Sequence, residues 1–98
     1  MKILQEVEIL SRGYVRKGGK DNRRQQRARM LAFAAFCAGE GAHSLAQVGA
    51  AHVIRYWRVT NHLSDATRYN HWRAFCVLWS LCGKSTEPPK PHPNTGVR

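Results

Sequence analysis

The chain has 98 residues, enough for one compact domain with a small core and too few for a second. Sixteen Lys and Arg against six Asp and Glu give a formal net charge of +10, and eleven of the cations are Arg. A surplus of this size repels itself and attracts polyanions. The planar guanidinium fork suits phosphates and guanine edges, so nucleic acid is the expected partner. No uninterrupted apolar run reaches the roughly 18 residues of a membrane span, and Gln5, Glu6 and Glu8 interrupt any apolar leader. Cys37, Cys76 and Cys82 form an odd set with no CxxC pair, which argues against a disulfide framework and for a reducing, cytoplasmic setting.

Taken in order, Ile3, Leu4, Val7 and Leu10 recur at helical spacing with Gln5, Glu6 and Glu8 between them, predicting a short amphipathic helix. Residues 12–20 hold Gly13, Gly18, Gly19 and several cations and read as a flexible basic loop. Asp21 or Asn22 can cap a second helix, rich in Gln, Arg, Ala, Met and Leu, that Gly39 and Gly41 terminate. Its first half is polar and basic and its second half apolar nearly all round, so the start is expected to project from the body. Ser44, Leu45 and Val48 mark a short connection with room for a helical turn. A third helix is expected over residues 49–60, with Val53, Ile54 and Trp57 inward and Arg55 and Arg58 outward. Ser64 or Asp65 can cap a fourth helix that runs to Leu81 and stops at Gly83. Trp72, Phe75, Leu78 and Trp79 form its core stripe. All four prolines follow, so the division is a helical domain over 1–83 and an extended, flexible Pro-rich tail over 84–98. No period-2 run predicts a strand; the fold class is all-α.

Two helix starts stand out. Arg23, Arg24, Gln25, Gln26, Arg27 and Arg29 crowd one; Thr67, Arg68, Asn70, His71 and Arg73 crowd the other, and neither segment contains an acid. A merely solvated face more often interleaves Glu with Lys or Arg. Helix N-termini attract phosphate, while Arg reads guanine and Gln or Asn reads adenine in the major groove. The candidate DNA-contacting residues are therefore Arg23, Gln25, Gln26, Arg29, Thr67, Arg68, Asn70, His71 and Arg73, within residues 22–30 and 66–74.

These segments also resemble a known family. Arg27-Ala28-Arg29-Met30-Leu31-Ala32-Phe33-Ala34-Ala35-Phe36-Cys37 is similar to the second helix of the core-binding, SAM-like domain of tyrosine recombinases (phage integrases). Leu63-Ser64-Asp65-Ala66-Thr67-Arg68-Tyr69-Asn70-His71-Trp72-Arg73-Ala74-Phe75 is similar to the fourth, residues 48–57 stand where the third would lie, and residues 84–93 stand where the linker to the catalytic domain begins. The resemblance spans residues 3–90. It implies a four-to-five-helix orthogonal bundle that grips one face of double-stranded DNA through its second and fourth helices. It also implies a bacterial or phage-encoded, nucleoid-associated protein tied to DNA integration, recombination or mobile-element regulation. The family's catalytic Arg, Lys, His and Tyr constellation has no counterpart here, so no strand cleavage is expected of this chain. The implied protein partners are a full-length recombinase or a second copy.

Other chemistries find less. Cys37, Cys76, Cys82 and five His fit no zinc spacing. No Cys–His nucleophile arrangement, P-loop or GxGxxG is present, so neither metal nor cofactor is expected. The alternative to DNA binding is a protein–protein module that docks through the first helix, which carries two of the scarce acids. RNA binding lacks the aromatic strand motifs of single-strand readers.

Overall fold

The computed structural model describes residues 2–17 and 19–91, with the backbone alone for Lys20. These residues form four helices: α1 Lys2–Arg16, α2 Lys20–Gly39, α3 Ala50–Val59 and α4 Asp65–Leu81. One 3-10 turn, Leu45–Gln47, interrupts the connection from α2 to α3. No strand occurs among the described residues, and the molecule is an all-α bundle as its periodicities predict.

The helix stops follow from glycine. After α2, Gly41 adopts φ +97°, its N–H reaches the Ala38 carbonyl and the Ala42 N–H reaches the Cys37 carbonyl, both at 3.0 Å. After α4, Gly83 at φ +76° repeats the pattern, with its own N–H on Ser80 and that of Lys84 on Trp79. Both are Schellman closures, which need a left-handed residue that glycine supplies at little steric cost. Ser64 caps α4, its Oγ accepting the Thr67 N–H at 3.1 Å. At α3 the His52 Nδ1 accepts the Gly49 N–H at 3.2 Å. The ring must be unprotonated there to accept, and burial followed by the Arg55 charge lowers its pKa.

Two local expectations are overturned. Neither Asp21 nor Asn22 caps α2; the N-cap is Gly19, without a side-chain bond. The basic loop expected from residue 12 is instead the last turn of α1, which runs through Gly13 to Arg16. A glycine inside a helix costs about 1 kcal/mol, and here the contacts to α2 offset it. Arg27 donates from Nε to Ser11 Oγ at 2.8 Å and from Nη2 to the Glu8 carbonyl at 3.1 Å. Arg23 donates to the Tyr14 carbonyl at 3.0 Å and lays its guanidinium 4.4 Å from the Tyr14 ring centroid. Ser11, fully buried, in turn donates to the Val7 carbonyl at 2.7 Å.

The core is aromatic at its centre. The Phe33 ring of α2 meets Phe75 of α4 at 4.3 Å between centroids, Tyr56 of α3 edge-on at 5.5 Å and Trp79 at 6.3 Å. Trp57 closes on Phe75 at 5.3 Å. Ile3 and Val7 of α1, with Met30, Cys37, Val53 and Leu78, complete the buried cluster. Ile54, expected inward with Val53 and Trp57, stands at the surface.

The stretch after Gly83 departs from a flexible tail as far as it is described. The Trp57 and Trp72 indole N–H groups donate to the Pro89 and Pro88 carbonyls, each at 2.9 Å, and Pro88 is buried. Lys84 donates to the Val48 carbonyl at 3.0 Å and Lys90 sits 5.0 Å from the Trp72 ring centroid. Residues 84–91 are thus part of the folded body; residues 92–98 of the expected tail lie outside the described residues.

Two stability tests follow. Phe33→Ala removes the ring on which three helices converge and should cost about 3–5 kcal/mol, read from the urea midpoint at unchanged m-value. Ending the chain at residue 83 strips two indoles of their acceptors. It should lower the thermal midpoint and red-shift the tryptophan emission, whereas an undocked tail would leave both unmoved.

Candidate nucleic-acid interface

The inner stripe of α2 is set by spacing. Met30, Phe33, Ala34 and Cys37 are buried, and one and two turns earlier the same face carries Arg23, Gln26 and Arg27. Those polar side chains therefore point along the core face, not away from it. Gln26 is 5% exposed, and its Oε1 accepts from Arg29 Nη1 at 2.7 Å. Arg23 and Arg27 are half-buried on α1. Arg24 and Gln25 face solvent, and Arg29 is half-buried. The exposed Arg24 stands 3.9 Å from Asp21, a pairing between two solvated side chains that contributes little.

On α4 the division is similar. Arg68, expected at a phosphate, is 4% exposed; its Nη2 donates to the Trp57 carbonyl at 3.2 Å and its guanidinium lies 5.8 Å from the Trp57 ring centroid. The position falls on the face that continues to Phe75, Leu78 and Trp79, which are buried with it. Thr67 belongs to the cap, its Oγ1 accepting from Ser64 Oγ at 2.9 Å. Asn70 and His71 are half-buried, while Arg73 and Tyr69 are exposed. Of the nine candidates, Gln26 and Arg68 are structural by burial, and Arg23 and Thr67 are engaged within the fold. Arg29, Asn70 and His71 are half-buried, Arg29 bonded to Gln26 and His71 to Tyr56, while Gln25 and Arg73 are exposed. Arg24, absent from the candidate set, joins them because it sits on the outer face of the same turn.

The two starts come together at one end of the bundle. Phe33 lies one turn after Arg29, and Phe75 one turn after His71. The rings touch, and the Arg29 charge reaches His71. The ring contact, with the Arg29 charge acting on His71 one turn earlier on each helix, turns the N-terminal halves of α2 and α4 toward the same end of the bundle. His71 bonds the Tyr56 hydroxyl through Nδ1 at 3.2 Å. Burial, and after it Arg29, lowers its pKa from the ordinary 6.5. The ring is therefore neutral at physiological pH, an orienting polar group and not a cation.

The helix tips themselves are less cationic than expected. Asp21 and Asp65 occupy the first turns of α2 and α4, where a carboxylate offsets the helix dipole. Positive potential on this end comes from guanidinium groups one turn further in.

The remaining titratable groups have other roles. Glu6 accepts the Leu45 N–H at 2.7 Å, Glu8 lies 3.3 Å from Arg12, and Glu40 holds Arg55 at 2.6 Å. Burial pushes the Cys37 thiol up to about 12, too high for a thiolate nucleophile at neutral pH, and raises those of Cys76 and Cys82. Among the described residues no three His, Cys, Asp or Glu form a metal-holding group, and no helix is long and apolar enough to cross a membrane.

The His71 environment gives a pH test. As pH falls through 6.5 the unfolded chain takes up a proton before the folded one, so His71 should reduce stability over the window from 6.5 down to its lower folded value. By NMR its titration midpoint should lie below 6.5, and Arg29→Ala should move that midpoint upward. An unmoved midpoint would separate the two helix starts.

No family model, curated protein or solved structure matches this chain, so its likeness to the recombinase core-binding domain rests on the residues quoted above.

Proposed function

We propose that this protein binds double-stranded DNA through the paired starts of α2 and α4. The observation that carries the reading is the Phe33–Phe75 contact at 4.3 Å, which joins α2 and α4 one turn after Arg29 and one turn after His71, on a chain of net charge +10. Arg24, Arg29 and Arg73 supply phosphate contacts, and Gln25 and Asn70 are the side chains chemically suited to base edges. The interior role of Arg23, Arg27 and Arg68 is to hold this surface in shape. The resemblance to recombinase core-binding domains extends the proposal to occupancy of recombination or integration sites, without strand cleavage.

A second reading, an interaction module working through α1, is favoured by one observation. Ile9 is 63% exposed and borders a cleft that Leu10, Leu45 and Leu81 also line. A second copy or a partner recombinase would cover it.

Titration of a labelled duplex at several salt concentrations tests the first reading. Affinity should fall steeply with salt, and Arg24→Ala and Arg73→Ala should each lower the slope of log K against log salt by about one unit. Arg68→Ala should instead act through stability. Absence of a salt slope, or one unaltered in the double variant, overturns the reading. Salt-independent self-association abolished by Ile9→Lys would install the second in its place.

A further inference from the structure

One large apolar side chain of α4 is on display. Tyr69 is 51% exposed, and among the described residues it is the exposed large apolar side chain of that helix; Ile9 belongs to α1, and Ile54 and Val59 to α3. Its ring is not loose. It leans on Trp72 at 5.6 Å between centroids, with the two planes 35° apart. Trp72 is itself held, its indole N–H on the Pro88 carbonyl at 2.9 Å.

The surroundings of the ring are polar and cationic. Arg73 follows Tyr69 by four residues and Asn70 by three, so it borders both on the helix surface. Arg73 is exposed and Asn70 half-buried. After Asp65 in its first turn α4 contains no acid, and the tail carboxylate of Glu87 acts on Cys76, two turns beyond Tyr69. A protein partner would ask for a contiguous apolar patch; here a single ring stands beside an amide and a guanidinium. An aromatic face with a cation next to it is the arrangement by which proteins hold unpaired nucleotides, the base on the ring and the phosphate on the cation.

We propose that Tyr69 stacks on an unpaired base, and that the protein therefore prefers DNA carrying one to a continuous duplex. This preference rests on the DNA-binding reading above and adds to it the structural class of DNA. In a continuous duplex each base face is covered by its neighbours. Only base edges and hydrated backbone are left, and neither uses the face of a ring. An unpaired base leaves the stack at smaller cost, and covering it with Tyr69 withdraws both faces from water. Trp72 already restricts the ring, so little freedom is lost on stacking.

The test compares affinities of the full chain for three labelled forms of one duplex at one salt concentration: continuous, with a single extra adenine in one strand, and with an abasic nucleotide in place of that adenine. The adenine bulge should bind about tenfold more tightly than the continuous duplex, the gain expected from one stacked base. The abasic bulge has the same break in the helix and no base, so it should bind like the continuous duplex. Tyr69→Ala should bring the affinities for bulged and continuous DNA together, and Tyr69→Trp should keep them apart. A fluorescent adenine analogue at the bulge should be quenched by the native chain and not by Tyr69→Ala. Equal affinity of the native chain for all three forms overturns the stacking proposal and leaves DNA binding intact. A preference that survives in the abasic bulge or in Tyr69→Ala also overturns it, because the preference would then reside in the bend of the DNA. Binding of none of the three removes the DNA reading itself, and the stacking role with it.

Discussion

The contact between Phe33 and Phe75 sets the geometry on which the rest of this molecule depends. Their rings, 4.3 Å apart and buried, fix where α2 crosses α4. Tyr56 and Trp57 then seat α3 against the same two rings. One turn toward the N-termini lie Arg29 on α2 and His71 on α4, whose pKa the Arg29 charge helps to lower. One turn toward the C-terminus of α4 the crossing brings Trp79, over whose ring Lys84 turns into the tail. Polar groups at both ends of the bundle thus inherit their positions from apolar packing at its middle.

The large cationic excess is not simply displayed. Arg23 and Arg27 join α2 to α1, Arg68 joins α4 to α3, and Arg55 pairs with Glu40. Arginine suits this structural work because its stem packs while its fork can meet more than one acceptor, as Arg27 does at Ser11 Oγ and the Glu8 carbonyl, at a desolvation cost lower than that of an ammonium. Burying a guanidinium is expensive unless it is met by partners; Arg23, Arg27 and Arg55 end on carbonyls, a hydroxyl, an aromatic face or a carboxylate, and Arg68 sets Nη2 on the Trp57 carbonyl. What is left for a polyanion is a smaller, outward set. Specificity for phosphate then depends on where those few stand and not on the total charge.

Local chemistry was legible in the residues, and distant partnership was not. The ends of α2 and α4 follow from Gly41 and Gly83, and the start of α4 from Ser64, because a cap is decided within a few positions. The core stripe of Phe75, Leu78 and Trp79 follows from spacing alone. The extent of α1 did not, since Gly13 looks like a breaker until Tyr14 and Ser11 are seen against Arg23 and Arg27. The i, i+3, i+4 spacing of Arg23, Gln26, Arg27 and Met30 was available as a signal that the polar start of α2 shares the buried face. Polarity masked it. The docked prolines were equally hidden, because their partners are indole donors 16 and 32 residues away.

That last arrangement has a consequence for how the chain can be divided. A boundary drawn at Gly83 follows composition, yet the Trp57 and Trp72 indoles find their acceptors beyond it. A polar indole end placed at an apolar surface needs such a partner. Carbonyls preceding or within a Pro-rich run are well placed to serve, since the run forms no helix or ladder of its own and leaves its carbonyls unused. Proline also restricts the free segment before it docks, so laying it down costs less conformational entropy than ordering a Gly- or Ser-rich stretch of equal length. The composition that suggests a loose linker is, on these grounds, well suited to a fixed strap, and the two tryptophans decide which of the two it becomes.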